Sequence, residues 1–200
     1  MKLFMVGASP YARKVRAVGV TLGLTDGIEI VIANPHERPA ELLRHNPLSK
    51  VPTLVADDGE AIVDSLSICE YLCSLVEGQT VLPVSPGPER RRILFRHDLA
   101  HGVMDCGVVR RVESLKAEEP DRMDWMARQV ATIGRVLDWF EASDALHGPM
   151  TLDRLTLASA LGFLDFRFPD DGWRNSRPRL SDWYAEAAKL PALAETEPFA

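Results

Sequence analysis

The strongest constraint on this chain is a single change in its hydrophobic period. As far as about residue 77, short β-branched or apolar runs alternate with segments of helical spacing; beyond residue 88, only three- and four-residue steps remain. Lys2-Leu3-Phe4-Met5-Val6 is an apolar run closed by Gly7, which reads as a buried strand. Ser9-Pro10 then reads as a helix start, with Ser9 as N-cap and Pro10 at the first helical position, where its missing N–H costs nothing. Val15, Val18 and Leu22 continue that helix and Gly23 ends it. Residues 28–32 have the β-branched density of a second strand. Residues 39–45 have room for one or two helical turns before Asn46-Pro47 stops them. Residues 52–56 and 61–64 flank Asp57-Asp58-Gly59, a hairpin turn signal. Ser65 is expected to cap a further helix whose Ile68, Leu72, Leu75 and Val76 share one face.

The order strand, helix, strand, helix, strand, strand, helix (βαβαββα) predicts a mixed sheet with helices on its faces, the order of a thioredoxin-like domain over residues 1–77. Residues 78–88 carry Pro83, Pro86 and Pro88 with Gly78 and Gly87, and read as a linker. Residues 89–200 form the second unit, an all-α helical bundle, with helices expected over 90–116, 123–142, 157–168 and 180–189. A chain of 200 residues has room for two such small domains. Its 46% hydrophobic and 26% charged content speaks against disorder. The net charge of -6 weighs against nucleic acid or an anionic membrane as partner. Cys69, Cys73 and Cys106 lack redox or zinc spacing, so neither a disulfide framework nor a metal is expected. With no apolar run approaching a membrane span and too short an apolar opening for a signal segment, the expected address is the reducing cytoplasm.

Three places carry candidate chemistry. Ser9 puts a hydroxyl where orphan N–H groups and the helix dipole favour an anion. Arg13, Lys14 and Arg16 follow, and they either draw in something negative or form a solvated face. Pro52 enters a strand behind a turn; a cis Val51-Pro52 bond would turn the Val51 backbone outward to pair with an extended peptide, whereas a trans proline would mark a plain edge strand. Asp64-Ser65 joins a carboxylate to a helix start. That corner can take an ammonium on Asp64 and a carboxylate at Ser65, or it can simply cap the helix.

Ser9-Pro10-Tyr11-Ala12-Arg13-Lys14-Val15-Arg16, then Asn46-Pro47-Leu48-Ser49-Lys50-Val51-Pro52-Thr53-Leu54, then Asp64-Ser65-Leu66-Ser67-Ile68-Cys69-Glu70-Tyr71-Leu72 together resemble the glutathione transferase family of bacterial type, with serine at the catalytic position. The resemblance covers the whole chain. It implies that Val51 pairs with the cysteinyl part of glutathione, that Pro52 is the cis proline, and that Asp64 with Ser65 holds the γ-glutamyl end. Lys50 and Asn34 are looser candidates for the glycine end. It further implies that Ser9 donates a hydrogen bond to the glutathione sulfur, favouring thiolate, which attacks a small hydrophobic electrophile. Glutathione is then a co-substrate, with no metal required. Tyr11, two residues on, is a competing phenol that helical geometry is expected to point elsewhere.

The resemblance also implies a homodimer formed through the helix starting near Arg90. It places His97, Asp98 and His101 in a stretch that could contribute to the site. Asp105, Arg110 and Arg111, and the segment from Gly162 to Pro169, resemble bacterial members. Asp165 is expected to form a structural ion pair with an arginine. Thr156-Leu157-Ala158-Ser159 reads as a helix cap lacking the usual acid. Cys69 and Cys73 are expected to be buried structural thiols, and Trp125, Trp139, Trp173 and Trp183 core or interface anchors. Two other readings remain: a ligand- or protein-binding member without turnover, and a glutathione-dependent isomerase or dehalogenase.

Overall fold

The computed structural model describes residues 1–199. Strand β1 (Lys2–Met5) is followed by α1 (Pro10–Thr21), β2 (Glu29–Ile32), α2 (Ala40–His45), β3 (Thr53–Val55), β4 (Ala61–Ile62) and α3 (Ser65–Ser74). The sheet order is β2-β1-β3-β4, with β1 parallel to β2 and antiparallel to β3, and β3 antiparallel to β4. This is the predicted thioredoxin-like arrangement, a mixed sheet whose first crossover is made by α1. Leu3 and Leu54 point into the same buried cluster as Val15 and Val18 of α1 and Ile68 and Leu72 of α3. Phe4 alternates to the opposite face and packs with Leu42 of α2. Gly59 makes the hairpin turn with φ 88°, a left-handed conformation that glycine adopts without a Cβ penalty.

The second half contains helices α4 (Pro88–Glu113), α5 (Pro120–Ala142), α6 (Leu152–Arg167), α7 (Pro178–Ala187) and α8 (Pro191–Ala194). Helix α6 is buried from Leu152 through Leu164, so it forms the axis of the bundle rather than one amphipathic wall. Its N-cap is Thr151, five residues before the expected cap at Thr156. The hydroxyls of Thr156 and Ser159 instead donate to the carbonyls of Leu152 and Leu155 at 2.7 Å each, as mid-helix side chains do. Sequence patterning missed this first turn because it holds Asp153 and Arg154, which look like loop residues. Both are buried with partners: Arg96 Nε lies 2.6 Å from Asp153 Oδ2, and Arg154 donates to the carbonyls of Pro149 (2.8 Å) and His147.

The segment from residue 78 is strapped to the bundle rather than loose. Val81 and Leu82 are buried, and the Val81 carbonyl accepts from the Leu152 N–H at 2.8 Å. Helix α1 ties the two halves together. Arg13 is buried and donates to the Leu193 carbonyl at 3.2 Å, and Arg16 donates to the Glu195 carbonyl at 2.9 Å. Arg13 and Arg16 thus do not make a plain solvated face: they reach away from the helix N-terminus toward the end of α8. Asp165 receives a bidentate pair from Arg174 at 2.5 and 2.6 Å, as expected of a structural ion pair. Among the described residues, no helix is long and apolar enough to cross a membrane.

Candidate functional site

A cleft of about 790 Å³ opens where the N-terminal end of α1, the loop before β3 and the start of α3 face α4 and α6. Its sheet-side wall includes Ser9, Lys50, Val51, Pro52, Asp64 and Ser65, so six of the seven residues singled out from the sequence line one depression. Asn34 does not. Its carboxamide accepts from the His36 N–H at 3.1 Å and donates to Glu37 at 2.8 Å, capping a short turn, while Pro35 and His36 line the cleft.

Ser9 caps α1 as expected, its Oγ accepting from the Ala12 N–H at 3.2 Å. Its hydroxyl proton is left free to point away from the helix. The Arg13 N–H bonds to the Ser9 carbonyl at 3.0 Å and Pro10 has no N–H. Among the described residues, the Tyr11 N–H is therefore the one orphan donor of this first turn. The α1 N-terminus thus offers one hydroxyl and one backbone N–H.

The Val51–Pro52 peptide bond is cis. Neither the Val51 N–H nor its carbonyl has a hydrogen-bond partner among the described residues, although Val51 lies two residues before a paired strand. The turn is held from beneath by Asn46, which is buried and donates to the Lys50 carbonyl (3.1 Å) and to Thr53 Oγ1 (2.9 Å). At the third corner, Asp64 rather than Ser65 is the N-cap of α3, its Oδ1 accepting from the Leu66 N–H at 2.8 Å. Ser65 is the first helical residue and is buried against the cleft floor. The sequence assigned the cap to Ser65 because hydroxyl and carboxylate are equally good caps.

The opposite wall was the least visible from sequence. Tyr11 was expected to point elsewhere, yet it lines the cleft and donates to Asp105 Oδ1 at 2.6 Å. Burial, reinforced by this hydrogen bond and the Asp105 charge, raises its pKa above the ordinary phenol value. Tyr11 keeps its proton and spends it on Asp105.

Behind this pair, Lys14 is fully buried, with Nζ 3.0 Å from His97 Nε2 and 3.3 Å from His101 Nδ1. If the ammonium donates to both rings, each ring proton sits on the other nitrogen. His97 Nδ1 then faces Asp98 at 2.9 Å, and His101 Nε2 faces Asp105 at 3.6 Å. Burial first, then the Lys14 charge, pushes His97 down to about 4 and His101 down as well. Burial also lowers the pKa of Lys14 itself. His101 lines the cleft and His97 supports it from behind; the exposed Asp98 is not part of the wall.

Farther along the same wall stand Val108, Arg111 and Val112 of α4 and Phe163 and Arg167 of α6. Gly7, on the turn leading to Ser9, packs so closely against the Phe199 ring that any Cβ there would overlap it. Cys69 and Cys73 are buried, and desolvation pushes their thiols up to about 12 and about 11, as expected of structural cysteines.

Comparison with known proteins gives a consistent picture. The family model described as glutathione S-transferase, N-terminal domain, matches residues 8–75. The uncharacterized GST-like protein YibF of Escherichia coli strain K12 is 32% identical over 203 residues, spanning 99% of this chain and 98% of that protein. Maleylacetoacetate isomerase of Rhizobium meliloti strain 1021 is 34% identical over 136 residues, 64% of this chain and 61% of that enzyme. Among solved structures, a glutathione transferase family member from Pseudomonas fluorescens Pf-5, with bound glutathione, superposes with a TM-score of 0.92 at 34% identity. That match covers 100% of this chain and 99% of the other.

Proposed function

Because the chain belongs to the glutathione transferase family, we propose that it is an enzyme that binds glutathione in this cleft and activates its thiol for attack on a small electrophile. The observation that carries the reading is the convergence on one wall of three complementary features: the free backbone pair of Val51, the Asp64–Ser65 corner, and the Ser9 hydroxyl at a helix N-terminus. Val51 pairs with the cysteinyl backbone as an added strand would. Asp64 takes the γ-glutamyl ammonium, while Ser65 and the start of α3 take the neighbouring carboxylate. Lys50, assisted by His36, receives the glycine carboxylate, a role for which Asn34 is poorly placed.

The sulfur then lies near the N-terminal end of α1. Ser9 Oγ–H donates to it, supported by the Tyr11 N–H and the helix dipole. The thiol proton leaves to water, and the thiolate pair forms a C–S bond to the electrophile as the leaving group departs or a double bond is added across. Residues 1–77 would hold glutathione, residues 89–200 the second substrate, and residues 78–88 join them. A homodimer through α4 and α5 is supported by exposed Phe95 and Trp139, whose rings pack together at 5.6 Å. Three free cysteines are in keeping with a reducing, cytoplasmic setting.

The similarity to maleylacetoacetate isomerase keeps a glutathione-dependent isomerase as the second reading, differing only in what the thiolate adds to. Calorimetric titration with glutathione tests the first step, with micromolar to millimolar binding that weakens about tenfold in Asp64→Asn as the expected result. No heat of binding, together with no tryptophan fluorescence change, would refute it.

A further inference from the structure

Two arginines on the helical wall of the cleft have no counter-charge among the described residues. Arg110, Arg111 and Arg167 lie close in the fold, but they are used differently. Arg110 is occupied structurally: it pairs with Asp171 and lies 4.0 Å over the Phe168 ring. Arg111 and Arg167 both line the cleft, and among the described residues neither guanidinium forms an ion pair or a side-chain hydrogen bond. Arg167 lies 4.5 Å over the Phe166 ring, and its Nε is buried without a partner. Burial and then the like charge of Arg111 lower the pKa of Arg167, as expected where two cations share a partly desolvated wall with no acid between them. The acids that line the cleft are Asp64 and Asp105, and Asp105 is already engaged by Tyr11.

The wall is also graded. Along α4, His101 and Asp105 stand at the Tyr11 end, Val108 follows, and Arg111 and Val112 come last. Phe163 and Arg167 of α6, four residues apart, repeat the apolar-then-cationic order. From Asp105 to Arg111 is about 9 Å along the helix. We propose that the second substrate of this cleft is an anionic electrophile, a compound with an apolar body and a carboxylate that Arg111 and Arg167 receive jointly. The reacting carbon then lies toward Ser9, with the body against Val108 and Phe163. This inference rests on the transferase reading and narrows it: purely neutral electrophiles leave two charged groups unmatched.

The test compares para-chloro-dinitrobenzoate with the matching neutral para-chloro-dinitrobenzamide in glutathione conjugation by the full-length protein. In each reaction the sulfur bonds to the ring carbon, chloride leaves with the bonding pair and the thiol proton goes to water. After division by the uncatalysed rates, kcat/KM is expected to favour the benzoate by about tenfold or more. That ratio is expected to fall about tenfold in Arg111→Gln and in Arg167→Gln, to survive in part in the lysine variants, and to shrink with salt. Being a ratio within one preparation, it does not depend on the folded fraction. A wild-type ratio at or below one, or a ratio unchanged in both glutamine variants, overturns the proposal. If glutathione does not bind and nothing turns over, the transferase reading has failed. The anion site is then judged by tryptophan quenching with the benzoate and benzamide alone, where equal affinities would overturn it and a benzoate preference lost in the variants would sustain it.

Discussion

Replacing Ser9 with alanine isolates one donor from the set that the α1 N-terminus presents. The hydroxyl accepts from Ala12 at 3.2 Å and so has its proton to give; the Tyr11 N–H and the helix dipole remain after its removal. A hydrogen bond to a charged acceptor contributes about 1.5–3 kcal/mol, and each pKa unit corresponds to about 1.4 kcal/mol. The thiol of bound glutathione is therefore expected to titrate about one to two units higher in Ser9→Ala, without returning fully to the free-thiol value of about 8.5. The assay is thiolate absorbance of bound glutathione across pH. Below the wild-type pKa, conjugation should slow by about tenfold or more. Loss of the N-cap also costs about 1 kcal/mol of stability, a fall of about 2–4 °C in Tm for a chain of this size. Tyr11→Phe is the internal control: its hydroxyl is committed to Asp105 at 2.6 Å, so the thiol titration should barely move. An unchanged titration in Ser9→Ala, or a larger shift in Tyr11→Phe, would refute the assignment.

Two further outcomes follow from buried groups. His97 is held down to about 4 in the folded chain against 6.5 unfolded, so the unfolded chain binds the extra proton between these values. Stability is therefore full above about pH 6.5 and is lost as pH falls toward 4, by up to about 3 kcal/mol from this residue, measurable by urea denaturation. In Lys14→Met that acid sensitivity should lessen, because a charge that opposes protonation is gone; an unchanged pH profile would count against the cluster as described. Cys69 and Cys73 are buried whereas Cys106 is only half-buried, so a thiol-specific chromogenic disulfide is expected to titrate Cys106 alone in the native protein and all three in denaturant. Rapid reaction of more than one native thiol would contradict the packing of α3.

The parts legible in the sequence were those with a local signature. The strand and helix order up to residue 74 is written in period changes and in Gly and Pro punctuation, and the three corners proposed to hold glutathione are each contiguous runs. What the sequence hid depended on partners far along the chain. Lys14 looks like a surface lysine on a helix, and only α4 crossing above it supplies His97 and His101, more than eighty residues away. Helical geometry alone points Tyr11 elsewhere, but at the second position of α1 its side chain leans back toward the helix start, and Asp105 meets it there. The early start of α6 was concealed in the same way, since Asp153 becomes a core residue only through Arg96 of α4.

These long-range contacts all involve α1 or α6, and this bears on how the proposed chemistry is held in place. Helix α1 delivers Ser9 to the glutathione side of the cleft, Tyr11 and Lys14 to α4, and Arg13 and Arg16 to the carbonyls at the end of α8. The helix that positions the thiol donor is thus anchored by the helical half of the chain, and a buried lysine paired with neutral imidazoles tolerates little rearrangement. In the proposed reaction, a substrate docked on α4 and α6 would be presented to the sulfur through the same helix that carries Ser9. The proposed geometry of attack would then depend on the packing of α1 against the bundle as well as on the sheet domain, which is the preorganisation that electrostatic activation of a thiol requires.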